Sequence, residues 1–321
     1  METARRPLTR SAPRTVVLFT GIFLALYIAA FVFAEHMVAR SETQSAFQKL
    51  LPAQGEQVDW LVLGASHALP LAYGDVPARL QQDTGQSMMV LAEIGAGPLY
   101  SRFVFEQALH DLDVKHLIYV ADSFAFGGEE WNEARVADRK LLRQTPLRPS
   151  TAQILAGLVA DEGVDPRALL DYLTGFSKLN PADRFSQGGW RGAADFDRSF
   201  RPSRHAVSAR IAYLYPKGTP EAKTVEHYLD SLDGLFDLAD AAGVEVLALK
   251  LPVPKTFRDS LPGEAAFDAV LRGRLTSRGI VLHDLSEAIV DTAFYFDTDH
   301  LNADGVGALY RDHLLALIAP K

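Results

Sequence analysis

The chain has 321 residues, of which 48% are apolar and 22% charged, and a net charge of −8 at pH 7. That length holds one large domain or two, and the composition is that of a folded globular protein with a sizeable core. The acidic balance argues against nucleic acid and anionic membrane surfaces as partners, and the absence of cysteine excludes disulfides, thiolate zinc sites and a thiol nucleophile.

Residues 15–34 form a run of 20 uncharged positions, long enough as a helix to cross a hydrocarbon core of about 30 Å. Arg5, Arg6, Arg10 and Arg14 precede it against the single Glu2, and no comparable basic excess follows from Glu35 onward. By the positive-inside rule this predicts a cytoplasmic tail (1–14), a transmembrane anchor (15–34) and an extracytoplasmic remainder. A cleaved signal peptide is the competing reading, with Val32-Phe33-Ala34 as a weak cleavage site. The run is longer than the usual apolar signal region of about 7–15 residues, which favours the anchor.

Residues 35–56 read as a polar helix and tether, and 57–321 as an α/β domain. The apolar run 58–63, closed by Gly64, predicts a buried strand. Gly74-Asp75-Val76-Pro77 starts a helix with Asp75 as its N-cap. A second strand at 88–91 is broken by Gly95-Ala96-Gly97-Pro98, and a helix over 99–112 leads to a third strand at 116–120. This alternation predicts a parallel sheet with crossover helices.

The alternation then stops. Helical segments at 151–160, 167–175 and 205–214, separated by polar loops such as Ser186-Gln187-Gly188-Gly189-Trp190, predict a helical insertion over about 124–219. Beyond it come an amphipathic helix at 221–242 and a strand at 244–249, ended by Pro252 and Pro254. A helix at 264–278, a strand at 280–282, a helix from Ser286 and a short strand at 294–296 follow. The last helix runs from Ala303 to near Ile318, with Asn302 as its cap.

Chemistry gathers at Asp297-Thr298-Asp299-His300-Leu301-Asn302, the turn after that last short strand. An Asp three residues before a His can accept the imidazole Nδ1 proton, fixing the tautomer and leaving Nε2 as a base. The best candidate nucleophile is Ser66, in Gly64-Ala65-Ser66-His67 at the carboxyl end of the first strand. Ligands of open parallel sheets bind at such ends, so both extremes of the domain can meet at one edge. Asp299 competes with Asp297 as the partner of His300. The plainer alternative is a turn cap beside a structural histidine. A metal held by His67, His300 and the nearby Asp residues lacks a His-x-x-x-His or similar spacing, and no metal or cofactor is expected. In the insertion, Trp131, Glu129, Glu130 and Trp190 are candidates for sugar contact, although packing of a cap onto its domain is the favoured role for the aromatics. Lys250 stands at a strand end, near the same cleft.

Gly64-Ala65-Ser66-His67 and Asp297-Thr298-Asp299-His300-Leu301-Asn302 resemble the first and last sequence blocks of the SGNH (GDSL-like) hydrolase superfamily, over about 57–122 and 240–318. The anchor and the ending Phe294-Tyr295-Phe296-Asp297-x-x-His300-Leu301-Asn302 are most similar to its membrane-anchored extracytoplasmic branch. That branch includes proteins similar to the D-alanyl transfer protein of teichoic-acid synthesis and the SGNH-type acetyltransferases of alginate modification. The resemblance implies a flavodoxin-like parallel sheet flanked by helices, Ser66 as nucleophile, His300 as general base and Asp297 as its orienting partner. It implies an oxyanion hole built from the backbone N–H groups of Ser66 and Gly95, with His67, Asp122 and Asn302 as candidate pocket residues. The chain departs from the pattern at the third block. The family's Asn has no counterpart in Ala121-Asp122-Ser123-Phe124, and an ionised Asp122 cannot donate a hydrogen bond.

Function follows as an expectation of the same kind. The resemblance implies O-acyl (acetyl) transfer through a Ser66 acyl-enzyme, from an acyl donor to a polysaccharide or small-ester acceptor. A multi-spanning membrane acyltransferase would be the donor's source. The catalytic domain would be periplasmic, on a single-pass protein of a bacterial inner membrane. The rivals are an esterase or lipase of the same fold and a non-catalytic envelope scaffold or polysaccharide-binding protein.

Overall fold

A computed structural model describes residues 12–41, 45–181, 191–201 and 203–320. Arg5, Arg6, Arg10 and the Ser186–Trp190 loop, with its sugar-contact candidate Trp190, lie outside the described residues. At its centre are five strands, β1 (Gln57–Gly64), β2 (Met88–Val90), β3 (Asp113–Val120), β4 (Glu245–Lys250) and β5 (Leu282–Asp284). All pair in parallel, in the order β2-β1-β3-β4-β5. This is the flavodoxin-like order, and its topological switch point lies between β1 and β3.

The strands read as unbroken apolar runs because both faces of the sheet are covered. Leu61, Leu63, Leu117 and Tyr119 enter one core layer, while the intervening Trp60, Val62, Ile118 and Val120 enter the other. The helices Pro98–Asp111 and Ala222–Ala242 close the first layer with Phe103, Val104, Leu232 and Leu235. Val76–Thr84 and the run that begins with Ala303–Leu309 close the second with Leu80, Val306 and Leu309. Between β3 and β4, the described part of the insertion is helical or turn. It includes Pro149–Asp161, Pro166–Thr174 and Arg204–Leu214.

Four expectations change. Residues 294–296 are not a sheet strand: Thr292–Phe294 is a 3-10 turn, and Tyr295 forms only an antiparallel bridge to Leu301. These residues are apolar because Tyr295 and Phe296 fill the second core layer. The helix expected from Ser286 is replaced by turns, since the Asp284 carboxylate takes the Ser286 N–H at 3.1 Å and offers the backbone a competing partner. The strand expected at 280–282 begins only at Leu282. Finally, part of the segment read as a tether is packed against the domain. Ser45 and Gln48 form a capping box on the helix Ala46–Leu50, and Phe47 and Leu50 are buried in the core. Asp75 does stand at the N-cap of Val76–Thr84, but in a left-handed conformation (φ 53°) and without a side-chain cap bond.

Ahead of the domain, Ala12–Ala39 is one helix, and Pro13–Ala39 is long and apolar enough to cross a membrane. It is compatible with a single-pass anchor or a signal sequence.

The end of β1 depends on a glycine. Gly64 has φ 145°, and a Cβ there would lie 2.8 Å from the Val120 carbonyl oxygen and 2.9 Å from the Val120 Cβ. Gly64→Ala is expected to destabilise the fold by roughly 2–5 kcal/mol, combining overpacking with backbone strain. Urea unfolding of the full chain in detergent measures it; a loss under about 0.5 kcal/mol contradicts the close approach.

Candidate active site

The chain leaves β1 through Gly64 and Ala65 and turns at once into the 3-10 turn Ser66–Ala68 and the helix Leu69–Tyr73. Ser66 therefore stands at the β1/β3 switch point. From the other end of the sequence, a self-bonded turn presents His300. Asp297 Oδ1 accepts the backbone N–H groups of Asp299 (3.0 Å) and His300 (2.8 Å), and the Phe296 N–H donates to the His300 carbonyl at 3.0 Å. These bonds fix the imidazole against its own carboxylate.

The structure brings Ser66, His300 and Asp297 into one chain of contacts. His300 Nδ1 lies 2.9 Å from each carboxylate oxygen of Asp297, and His300 Nε2 lies 2.9 Å from Ser66 Oγ. A carboxylate only accepts, so Nδ1 carries the proton and Nε2 is free to accept from the serine hydroxyl. Burial raises the Asp297 pKa, but the attraction of His300 and its hydrogen bond outweigh this and hold the carboxyl below its usual range. Asp299 Oδ1 is 3.5 Å from Nδ1, so Asp297 is the nearer of the two. Ser66 is 3% and His300 1% exposed, which shields the hydroxyl from bulk water.

Asp299 has a different set of partners. Its buried carboxylate takes Arg210 Nε at 2.8 Å, the Thr298 hydroxyl at 2.8 Å and His67 Nε2 at 3.2 Å. Burial opposes its charge, but His300, His67 and Arg210 outweigh burial and push the carboxyl far below the usual range. The other nitrogen of His67, Nδ1, is 2.6 Å from Asp122 Oδ1. Burial again opposes the charge, but Asp122 and then Asp299 raise the His67 pKa to about 10. With carboxylates at both ring nitrogens, His67 is an imidazolium that donates twice. An Arg210–Asp299–His67–Asp122 chain thus starts beside Ser66, two cations alternating with two carboxylates, with Asp299 and His67 buried and the two ends half-buried.

Asp122 is accordingly the partner of His67, which explains why an acidic residue is tolerated there. His67 and Asp122 also line a small cavity of about 30 Å³ with Lys250, whose ammonium is tied to Glu264 and to Asp268 at 2.6 Å. Asn302 is not a pocket residue. Its Oδ1 accepts the Gly305 N–H at 3.0 Å, and its amide donates to the Ala293 and Arg198 carbonyls at 2.8 and 3.0 Å, so it is fully engaged with backbone.

Gly95 belongs to a turn held alongside the end of β1, because the Glu93 N–H donates to the Gly64 carbonyl at 3.2 Å. It has φ 64°, and the Trp131 ring lies 2.8 Å from where a Cβ would stand, so only glycine fits. Among the described residues, no protein acceptor takes the N–H of Gly95 or of Ser66. Asn132, the buried asparagine nearest in sequence, gives its amide to the Ala125 and Gly128 carbonyls and is not free for a substrate. Trp131 is buried against Phe124 and Tyr213, a packing position rather than an exposed sugar platform. Glu130 lies 3.8 Å from Lys217 on the same loop cluster.

His67, Asp299 and His300 each offer one ligand-type atom within 4.8 Å of the others. Those atoms are already joined to one another or to Ser66 by hydrogen bonds. The arrangement fits a proton-bearing network better than a ligand set.

Arg210 is the site residue that sequence reasoning missed. It comes from the insertion helix Arg204–Leu214 and stacks its guanidinium over Tyr213 at 5.5 Å. Nothing in the spacing of that helix distinguishes it from a surface arginine.

No family model matches the chain, and no curated protein does. Among solved structures, the chain is similar to a "putative acylhydrolase" from Bacteroides fragilis NCTC 9343, with a TM-score of 0.43 and 10% identity. The match covers 86% of this chain and 95% of that one.

Proposed function

We propose that this chain is a serine acyl-ester enzyme of the SGNH type that works outside the cytoplasm on a membrane anchor. The observation that carries the reading is the continuous Ser66–His300–Asp297 contact chain, 2.9 Å at each joint. Ser66 Oγ attacks an acyl carbonyl while His300 Nε2 takes its proton, and Asp297 holds the imidazolium that results. The backbone N–H groups of Ser66 and Gly95 are the proposed donors to the carbonyl oxygen as it becomes an oxyanion. His300 then returns the proton to the departing oxygen of the donor, leaving the acyl group on Ser66. In the second half, an acceptor hydroxyl gives its proton to His300 and takes the acyl group, and His300 passes the proton to Ser66 Oγ as the Oγ–acyl bond breaks.

Transfer to a carbohydrate hydroxyl, in a cell-envelope or secreted polysaccharide, is the favoured second half. The near-complete burial of Ser66 supports it, since an acyl-enzyme shielded from water survives to meet a bound acceptor. The membrane-anchored SGNH resemblance supports an acetyl group supplied by a multi-spanning acyltransferase, at a bacterial inner membrane with the domain in the periplasm.

A fluorophosphonate probe tests the first half on the full chain in detergent. Wild type is expected to be labelled, Ser66→Ala not at all and His300→Ala far more slowly. Wild type labelled no better than Ser66→Ala sinks the catalytic reading and leaves the scaffold. Turnover of p-nitrophenyl acetate decides the second half: a rate that rises on adding polysaccharide marks a transferase, and full turnover in water alone marks an esterase.

A further inference from the structure

The helix Ala12–Ala39 is exposed along its described length except at Tyr27, Phe31, Ala34, Glu35 and Val38, which are half-buried. These positions form one helical stripe, and the stripe is docked. Tyr27 Oη donates to the Thr174 carbonyl at 2.9 Å, and the Phe31 ring fills the space that a side chain on Gly175 would need. Glu35 pairs with Lys178 and accepts the Leu147 N–H at 3.0 Å. Tyr27 and Phe31 lie inside the apolar run 15–34, and Tyr27 is about 10 Å along the axis from the end of that run. Whatever depth this part of the helix occupies, the corner joining Pro166–Thr174 to Phe176–Leu179 shares it.

We propose that this corner is seated in the acyl-chain region of the leaflet next to the folded domain, with Leu170, Leu173 and Phe176 against lipid. The inference rests on the anchor reading of Ala12–Ala39. Leu170 is 63% exposed, Leu173 48% and Phe176 48%, a cluster that water penalises and hydrocarbon accepts. The backbone and hydroxyl groups of the corner are satisfied internally, as a lipid environment demands, and a cation at its edge, Arg139, lies 5.3 Å over the Phe176 ring and donates to Ser177 Oγ at 2.9 Å. Thr174 Oγ1 donates to the Leu170 carbonyl at 2.7 Å, the Gly175 N–H to the Asp171 carbonyl at 2.8 Å, and the Ser177 N–H to the Asp171 carboxylate at 2.7 Å. Asp165 and Arg167 stand at the opposite end of the nine-residue helix, about 13 Å away, where headgroups would meet them. A groove of about 710 Å³ beside Tyr27 has Leu170 and Phe176 in its wall, together with Arg139 and Arg167 and the two acids Asp165 and Asp171.

Because the chain has no cysteine, one introduced Cys is its only thiol. Phe23→Cys marks the anchor, Val290→Cys marks a position 74% exposed on the domain surface, and Leu173→Cys and Phe176→Cys report the corner. Each full-length variant is labelled with bimane and reconstituted into phosphatidylcholine vesicles with or without acyl-chain-brominated lipid. Both corner positions are expected to be quenched at least about half as strongly as Phe23→Cys, with Val290→Cys at background. If Phe23→Cys is quenched while either corner position behaves as Val290→Cys, the proposal is overturned and the anchor stands. If Phe23→Cys is also unquenched, the anchor reading fails and takes the proposal with it.

Discussion

Asp297→Asn is expected to lower kcat on p-nitrophenyl acetate by about 10⁴-fold with little change in KM. The carboxylate oxygen that accepts the Asp299 and His300 backbone N–H groups can be replaced by the amide oxygen, so the turn keeps its shape. The amide nitrogen then replaces Oδ2 at 2.9 Å from His300 Nδ1, donor against donor, and leaves Nδ1–H only Oδ1, which two backbone N–H groups already share. To avoid the clash the imidazole moves its proton to Nε2, where it can no longer receive the proton of Ser66. Asp299→Asn keeps the Asp297–His300 contact, so its loss of rate is expected to be at least tenfold smaller. Retention of more than about a tenth of the wild-type rate by Asp297→Asn removes Asp297 from the proposed role.

Asp299 carries the largest stability effect instead. Asp299→Ala leaves the buried His67 imidazolium and the half-buried Arg210 guanidinium without their shared anion. Removing one partner from a buried ion cluster costs about 3–5 kcal/mol, and the loss is expected in the urea midpoint of the full chain in detergent. A change under about 1 kcal/mol means that the network is hydrated or rearranged. The same cluster gives stability a pH signature. His67 has its pKa raised from 6.5 to about 10, so its contribution is full below 6.5 and is lost as pH rises through about 10. Asp299 has its pKa lowered from 3.8, so its contribution is full above 3.8 and is lost only as pH falls through the depressed folded value. Wild-type stability should therefore decline from pH 6.5 toward 10, and His67→Gln should flatten that decline. Equal slopes in the two proteins would show that His67 is not charged in the fold.

The sheet and the Asp297–His300 turn were legible in the chain because each is written locally. Strands buried on both faces announce themselves as apolar runs, and an Asp three residues before a His places both groups on one turn. The meeting of Ser66 with His300 was legible only through the fold, since the carboxyl ends of parallel strands share an edge. Where meaning depends on tertiary partners, the chain was silent or misleading. Phe294, Tyr295 and Phe296 read as a strand because burial, not pairing, selects their side chains. Ala46–Leu50 reads as tether because five residues are too few to show a period, although Phe47 and Leu50 are core. Arg210 looks like any helix arginine until Asp299 is placed beside it. Asp122 reads as a damaged oxyanion residue until His67 is placed beside it as its cationic partner.

The joint between Ala12–Ala39 and the domain has a further meaning. Gln48 Nε2 holds the Val38 carbonyl at 2.6 Å and Lys178 grips Glu35, so the connection is a bracket and not a leash. A catalytic site on a leash samples a volume that grows with linker length; one on a bracket works at a single altitude. In the anchored reading, Ser66 cannot search the envelope for its acceptor. On the proposed transfer, its two reactants would have to be delivered to that altitude, the donor from within the bilayer and the acceptor past a fixed station. Reach, more than chemical preference, would then decide which hydroxyls receive the acyl group.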